Sequence, residues 1–234
     1  MAKEKTVYIC SACGYETPRW MGKCPGCSSW NTLEEQAPSV SAGAAPVKAN
    51  KQRGGTGAKA MKLEEIPEES ASRASTGIGE LDRVLGGGLL AGSLTLVVGD
   101  PGVGKSSMTI KVCADLAKTE GTILYVTGEE SARQVKMRAE RLGALADDLY
   151  ILSETNLDTI EAQTMKLQPR LLVIDSIQTV FRPDIESAPG SISQVRECSV
   201  QLLRIAKANS IAVILVGHVL KDGNCRESCF VRNI

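Results

Sequence analysis

The chain has 234 residues, 43% of them hydrophobic and 23% charged. That is the composition of a folded globular protein with room for one α/β core and a small appendage. Lys plus Arg and Asp plus Glu both number 27, so no global basic excess signals nucleic acid, and any such contact must come from a local patch or loop. No apolar run approaches the ~20 residues that span a bilayer, and the N-terminal MAKEKTVYICSACG has no apolar signal-peptide core, so the expectation is a cytoplasmic protein with no membrane partner.

Four of the eight cysteines stand before residue 30. Cys10-x2-Cys13 and Cys24-x2-Cys27 are two knuckles separated by ten residues. Each C-x-x-C can place two thiolates on one tetrahedral ion, and two knuckles complete a closed four-sulfur Zn²⁺ site. A redox dithiol needs a single C-x-x-C at a helix start, which the paired pattern opposes. Four thiolates also suit iron, and zinc is favoured over it. The segment 1–35 is therefore expected to be a metal ribbon. Its tryptophans, Trp20 and Trp30, are expected to cover the metal site, since a mini-domain has few other large apolar groups; stacking on unpaired bases or a protein contact is the alternative.

Residues 36–60, QAPSVSAGAAPVKANKQRGGTGAKA, are poor in large apolar side chains and are expected to be a flexible linker. From residue 61 onward, short apolar runs alternate with helical stretches. Strands are expected over residues 93–99 (SLTLVVG), 122–127 (TILYVT), 149–152, 170–175 (RLLVID) and 211–217 (IAVILVG). Helices are expected over 105–118, 131–142 and 157–167. A further helix should begin at a capping box of Ser191 and Gln194 and run to about residue 208. Continuous apolar strands between helices imply a parallel sheet covered on both faces.

Between the first strand and the first of these helices lies Gly99-Asp100-Pro101-Gly102-Val103-Gly104-Lys105-Ser106, a full G-x-x-x-x-G-K-[ST] match that continues into Ser107. Its glycines let backbone N–H groups turn toward phosphate oxygens at the positive end of a helix. Lys105 would reach the β- and γ-phosphates, and Ser106 would put its hydroxyl on Mg²⁺. The nucleotide implied is ATP. Asp175, closing LLVID, suits the acid that holds the hydrated Mg²⁺, against the bland reading of a strand-end cap. Glu129 and Glu130 follow the strand TILYVT at the same rim. Glu130 is read as a first-turn charge favourable to the next helix, and Glu129 as the group that orients or deprotonates the attacking water.

These motifs in this order resemble the bacterial RadA (Sms) family. The likeness runs through VYICSACGYETPRWMGKCPGCSSWNTLEE, TGIGELDRVLGGGLLAGSLTLVVGDPGVGKS, LYVTGEES, LLVIDSIQT, SAPGSISQVRECSVQLLRIAK and LVGHVLKDG. The resemblance implies a RecA-like P-loop NTPase core with a parallel sheet, preceded by a four-cysteine zinc ribbon. It implies a DNA-dependent ATPase that forms homo-hexameric rings, acts on single-stranded or branched DNA, drives branch migration in a helicase-like way and works with the RecA recombinase. It further implies that Glu129 and Lys105 are catalytic, that His218 is a sensor of the γ-phosphate, and that residues 182–194 form a DNA-facing loop with Arg182 and Arg196 as phosphate contacts. The chain departs from the family at Leu220 and Ser107, where threonine is usual. After Gly223 it reads NCRESCFVRNI, without the family's Lys-Asn-Arg-Phe-Gly motif. That tail is expected to form neither strand nor helix, with no role for Cys225 and Cys229. The alternative to a DNA motor is thus a truncated ATP- and zinc-binding fragment without productive turnover. A clock- or signalling-type RecA-like ATPase is disfavoured by the ribbon.

Overall fold

The computed structural model describes residues 7–10, 16–25, 30–36, 62, 64, 73–218 and 230–233. Two compact units divide the chain, residues 1–70 and residues 71–234.

In the first unit β1 (Val7–Cys10) is the central strand of a three-stranded antiparallel sheet, flanked by β2 (Glu16–Thr17) and β3 (Leu33–Gln36). Cys10 pairs with Leu33 across the ladder, and a lone bridge joins Lys23 to Trp30. The core of this unit is Cys10, Cys24 and Leu33, with Tyr8 packed against them. Gln36 closes β3, and residues 37–60 of the expected linker lie outside the described residues.

The second unit opens with a small antiparallel pair, β4 (Arg73–Ala74) and β5 (Leu89–Leu90), around α1 (Gly79–Val84). Then come β6 (Leu94–Gly99), α2 (Lys105–Thr119), β7 (Ile123–Thr127), α3 (Ala132–Arg141), β8 (Leu149–Ser153), α4 (Leu157–Leu167), β9 (Leu171–Asp175), α5 (Ile192–Asn209), β10 (Ala212–His218) and β11 (Phe230–Asn233). The sheet order is β11-β6-β10-β9-β7-β8, with β6 to β10 mutually parallel and β11 antiparallel to β6. The tail thus contributes an edge strand where none was expected; Cys225 and Cys229 lie outside the described residues.

Alternation along each strand sends neighbouring side chains to opposite faces. Ile123 and Tyr125 join Ile110, Cys113 and Leu116 of α2 and Val135 of α3 in one core. Leu124 and Val126 join Leu157 and Ile160 of α4 and Leu202 and Ile205 of α5 in the other. Both faces of β7 and β9 are buried along their whole length, which is why these strands are apolar runs and not alternating ones.

Capping differs from expectation in an informative way. Ser191 does cap α5, accepting from the Gln194 amide, but the Gln194 side chain does not return to Ser191. It is buried, with its amide nitrogen 3.1, 3.1 and 2.9 Å from the carbonyl oxygens of Arg182, Ile185 and Ser187. Its Oε1 accepts from the Arg182 amide at 2.9 Å. Gln194 therefore faces inward, clamping the preceding loop, and residues 192–194 are helical, so the expected DNA-facing loop is shorter than 182–194. A reciprocal capping box forms instead at α3, between Ser131 and Gln134.

Gly128, just past β7, is held against the neighbouring loop. A Cβ there would stand 1.9 Å from Thr179 Oγ1, 2.6 Å from Thr179 Cβ and 3.0 Å from Thr155 Cγ2. Gly128→Ala is expected to destabilise this unit by about 1–3 kcal/mol through overpacking, read as a lower urea midpoint. Combining it with Thr179→Gly should recover part of the loss. An unchanged midpoint in the single variant would show that the loop yields freely.

Candidate nucleotide-binding site

Register brings four strand ends into one row. Gly99 of β6 pairs with His218 of β10, while Asp175 of β9 pairs with Val216 of β10 and with Thr127 of β7. The loops leaving β6, β9 and β7 therefore emerge at the carboxyl edge of the sheet, where open α/β sheets bind ligands.

The loop 99–106 turns at Gly102 and Gly104, with φ of +83° and +93°, values that strain any residue with a Cβ. It opens α2, whose first turn carries neither a side-chain cap nor an acidic residue. Helices α3, α4 and α5 are each capped by a side chain, from Ser131, Asn156 and Ser191. The unsatisfied N–H groups and positive end of α2 are thus left for an anion, as phosphate binding requires. Pro101, Gly102, Val103 and Gly104 are exposed around this opening, with Asp100 beside them, and Ser106 and Ser107 are half-buried on the first turn of α2.

Lys105 is only 5% exposed. Its Nζ donates to the carbonyls of Gly99 and Asp100 at 2.8 and 2.9 Å and lies 3.2 Å from His218 Nδ1. An ammonium has no acceptor capacity, so Nδ1 is the acceptor in this contact, and the other ring nitrogen of His218 is Nε2. That nitrogen lies 3.6 Å from Glu129 Oε1, and the same oxygen accepts from Ser176 Oγ at 2.7 Å. A continuous line of side chains, Lys105–His218–Glu129–Ser176, spans the rim. The Glu129 side chain is 50% exposed and so open to water.

Asp175 is nearly buried and accepts a hydrogen bond from the Tyr125 hydroxyl. Burial, reinforced by the Asp175 charge, pushes the Tyr125 hydroxyl well above its usual range, so Tyr125 stays a proton donor and steers the carboxylate. The same two causes, burial first, keep Cys113 a thiol. Glu130 does not serve as a first-turn charge. Ser131 is the N-cap of α3, the first turn holds no acid, and Glu130 pairs with Arg138 at 2.9 Å.

The remaining expected residues are scattered. Arg182 is forked onto Asp184, at 3.0 and 2.7 Å, which commits its guanidinium within the loop. Arg196 is exposed on α5. Gln178 donates to the His218 carbonyl at 3.3 Å, tying the end of β10 to that loop. Tyr125, Ser176 and Gln178 escaped sequence reasoning because their partners come from other strands. The one available signal was Ser176's position, directly after Asp175.

In the first unit Cys10 and Cys24, one from each knuckle, are buried side by side in one small core, as a closed thiolate site demands. Cys13 and Cys27 lie outside the described residues. Trp20 is 56% and Trp30 71% exposed, and among the described residues Leu33 and Tyr8 pack against Cys10 and Cys24.

A phosphate loop on the first strand of a parallel sheet, with an acid two strands away, defines a RecA-like P-loop core. The chain belongs to the AAA domain family, whose model matches residues 60–224, and residues 8–35 match a rubredoxin metal binding domain. It is similar to the DNA repair protein RadA of Halalkalibacterium halodurans, with 47% identity over 223 residues, 95% of this chain and 48% of that protein. The RadA proteins of Bacillus subtilis (46% identity, 96% and 49% covered) and Listeria monocytogenes (47%, 95% and 48%) are comparably similar. The chain spans about half the length of the curated relatives it matches. In fold it is similar to the crystal structure of a KaiC-like protein, PH0186, from Pyrococcus horikoshii OT3. The TM-score is 0.52 at 22% identity, over 64% of this chain and 73% of that one. Among the described residues no helix is long and apolar enough to cross a membrane.

Proposed function

We propose that the chain is the motor part of a cytoplasmic, ATP-dependent DNA repair and recombination protein that binds single-stranded DNA and promotes branch migration of recombination intermediates. The row Lys105–His218–Glu129 beside Asp175 is the observation that carries this reading, and the RadA relatives supply the DNA context. The amides of residues 99–104 and the α2 N-terminus would cradle the phosphates, with Lys105 turning from the Gly99 and Asp100 carbonyls to the β- and γ-phosphate oxygens. Ser106 and Asp175 would hold Mg²⁺, which neutralises charge on those oxygens when bound. Glu129 takes a proton from the water attacking the γ-phosphorus as the bond to ADP breaks. His218 loses its Lys105 contact when the lysine moves, and through Gln178 that change reaches the loop bearing Arg182, which would leave Asp184 to meet a DNA phosphate. Arg196 is the second phosphate contact. Cys10, Cys13, Cys24 and Cys27 would bind zinc in the ribbon. A ring of six subunits and association with the RecA recombinase belong to the same proposal, tested by mass in solution and by co-sedimentation.

The deciding experiment is the ATPase rate with and without single-stranded DNA, in the wild type and in Lys105→Ala. DNA should raise the rate. The variant should bind ATP about 10- to 100-fold more weakly, from loss of a hydrogen bond to a charged group. Unchanged ATP affinity in folded Lys105→Ala would mean the site is elsewhere. Nucleotide binding with no turnover, with or without DNA, would support the non-hydrolysing fragment instead.

A further inference from the structure

We propose that the ribbon carries its own single-stranded DNA site, a pair of tryptophans on which unpaired bases stack. This rests on the reading of the chain as a DNA-processing protein. The chain contains two tryptophans in all, and both are presented to solvent on this one small unit, Trp20 at 56% and Trp30 at 71% exposure. A single exposed indole is ordinary. These two converge on Gly22: a Cβ built there would meet Trp30 Cζ3 at 3.7 Å and Trp20 Cη2 at 3.9 Å. Any side chain at position 22 would therefore stand in van der Waals contact with both indoles.

The surroundings fit a polyanion. Arg19 and Lys23 are exposed on the same segment, and no Asp or Glu occurs from residue 17 to residue 33. The nearby acids, Glu16, Glu34 and Glu35, stand on β2 and β3. Lys23 Nζ lies over the Trp30 ring, 6.0 Å from its centroid, so an incoming base displaces this cation from the ring and leaves it free to meet the adjoining phosphate. Because the whole chain is neutral, the attraction is local. Flat π-faces beside isolated cations match the sequence-tolerant recognition of single strands, in which each base stacked on an aromatic ring contributes about 1–3 kcal/mol. A duplex keeps its base faces stacked internally and offers nothing to these rings.

Since Trp20 and Trp30 are the only indoles, tryptophan fluorescence of the intact, metal-loaded chain reads this patch alone, while anisotropy of labelled oligo-dT reads DNA binding anywhere. Titration with oligo-dT should quench the indoles with the same midpoint as the anisotropy rise. Trp20→Ala and Trp30→Ala should each weaken binding about 5- to 100-fold, Trp30→Phe much less. Gly22→Leu should weaken it with both indoles in place, and metal content and DNA-independent ATPase rate should be unchanged throughout. An anisotropy rise without an indole response would overturn this inference and leave the proposed motor standing. No binding of oligo-dT at all would remove both. Quenching by poly-glutamate but not by oligo-dT, or tighter binding of oligo-rU, would reassign the patch to a protein or to RNA and overturn it equally.

Discussion

Glu129→Gln is expected to lower ATP turnover by about 10²–10⁴-fold, the contribution of a positioned general base, with ATP affinity close to wild type. The substitution keeps the size of the side chain and lets it still accept from Ser176 Oγ, which lies 2.7 Å from Glu129 Oε1. What disappears is the basicity facing water and the charge opposite His218. In the proposed site, binding rests on other groups, the 99–106 loop, Lys105 and Asp175, none of which donates to Glu129 among the described contacts. Steady-state phosphate release and the equilibrium binding of a fluorescent ATP analogue separate the two effects. A variant that turns over normally would exclude Glu129 as the base. Glu130 makes a poor substitute, because its carboxylate is already paired with Arg138 at 2.9 Å.

Cys24→Ser is expected to cost the chain its bound zinc and to unfold the ribbon, leaving ATP affinity within about twofold, less than the net worth of one typical hydrogen bond. The described core of the first unit consists of two cysteines and Leu33, with Tyr8 against them. That is far too little apolar area to offset the entropy of ordering its chain. A structural zinc supplies apparent binding energy of roughly 10–16 kcal/mol in peptides of this kind, and that energy is folding energy. Serine is a much weaker zinc ligand than a thiolate, so one replacement opens a closed site. The nucleotide site lies in a separate compact unit with two cores of its own. Metal analysis of wild type should give one equivalent of zinc, and the variant should lose it together with the near-ultraviolet signal of the two tryptophans. Iron in the wild type, or full zinc retention by the variant, would contradict the assignment.

Both variants test features that were readable before any fold was known. The phosphate loop, the paired knuckles and the apolar strands are local signals, because their chemistry needs neighbouring residues at set spacings: glycines before a lysine, thiols with two residues between them, side chains alternating across a sheet. Proximity in sequence guarantees proximity in space, so Gly99 to Ser106, Cys10, Cys24 and the strand ending at Asp175 could be picked out by eye. The same holds for Glu129 in its place just beyond a strand.

The partners of these groups were set by tertiary contact. Tyr125 steers Asp175 across fifty positions of chain because β7 and β9 happen to be adjacent, and nothing in YVT marks that tyrosine. Gln194 satisfies a capping pattern on paper, yet it is buried against the 182–187 loop, where its amide nitrogen meets the carbonyls of Arg182, Ile185 and Ser187 instead of returning to Ser191. Trp20 and Trp30 carry the largest apolar surface in the ribbon, and composition alone sends them inward. Among the described residues, Cys10, Cys24 and Leu33 with Tyr8 form the core, while both indoles are largely exposed, because which side chains meet there depends on the strand pairing that joins Cys10 to Leu33.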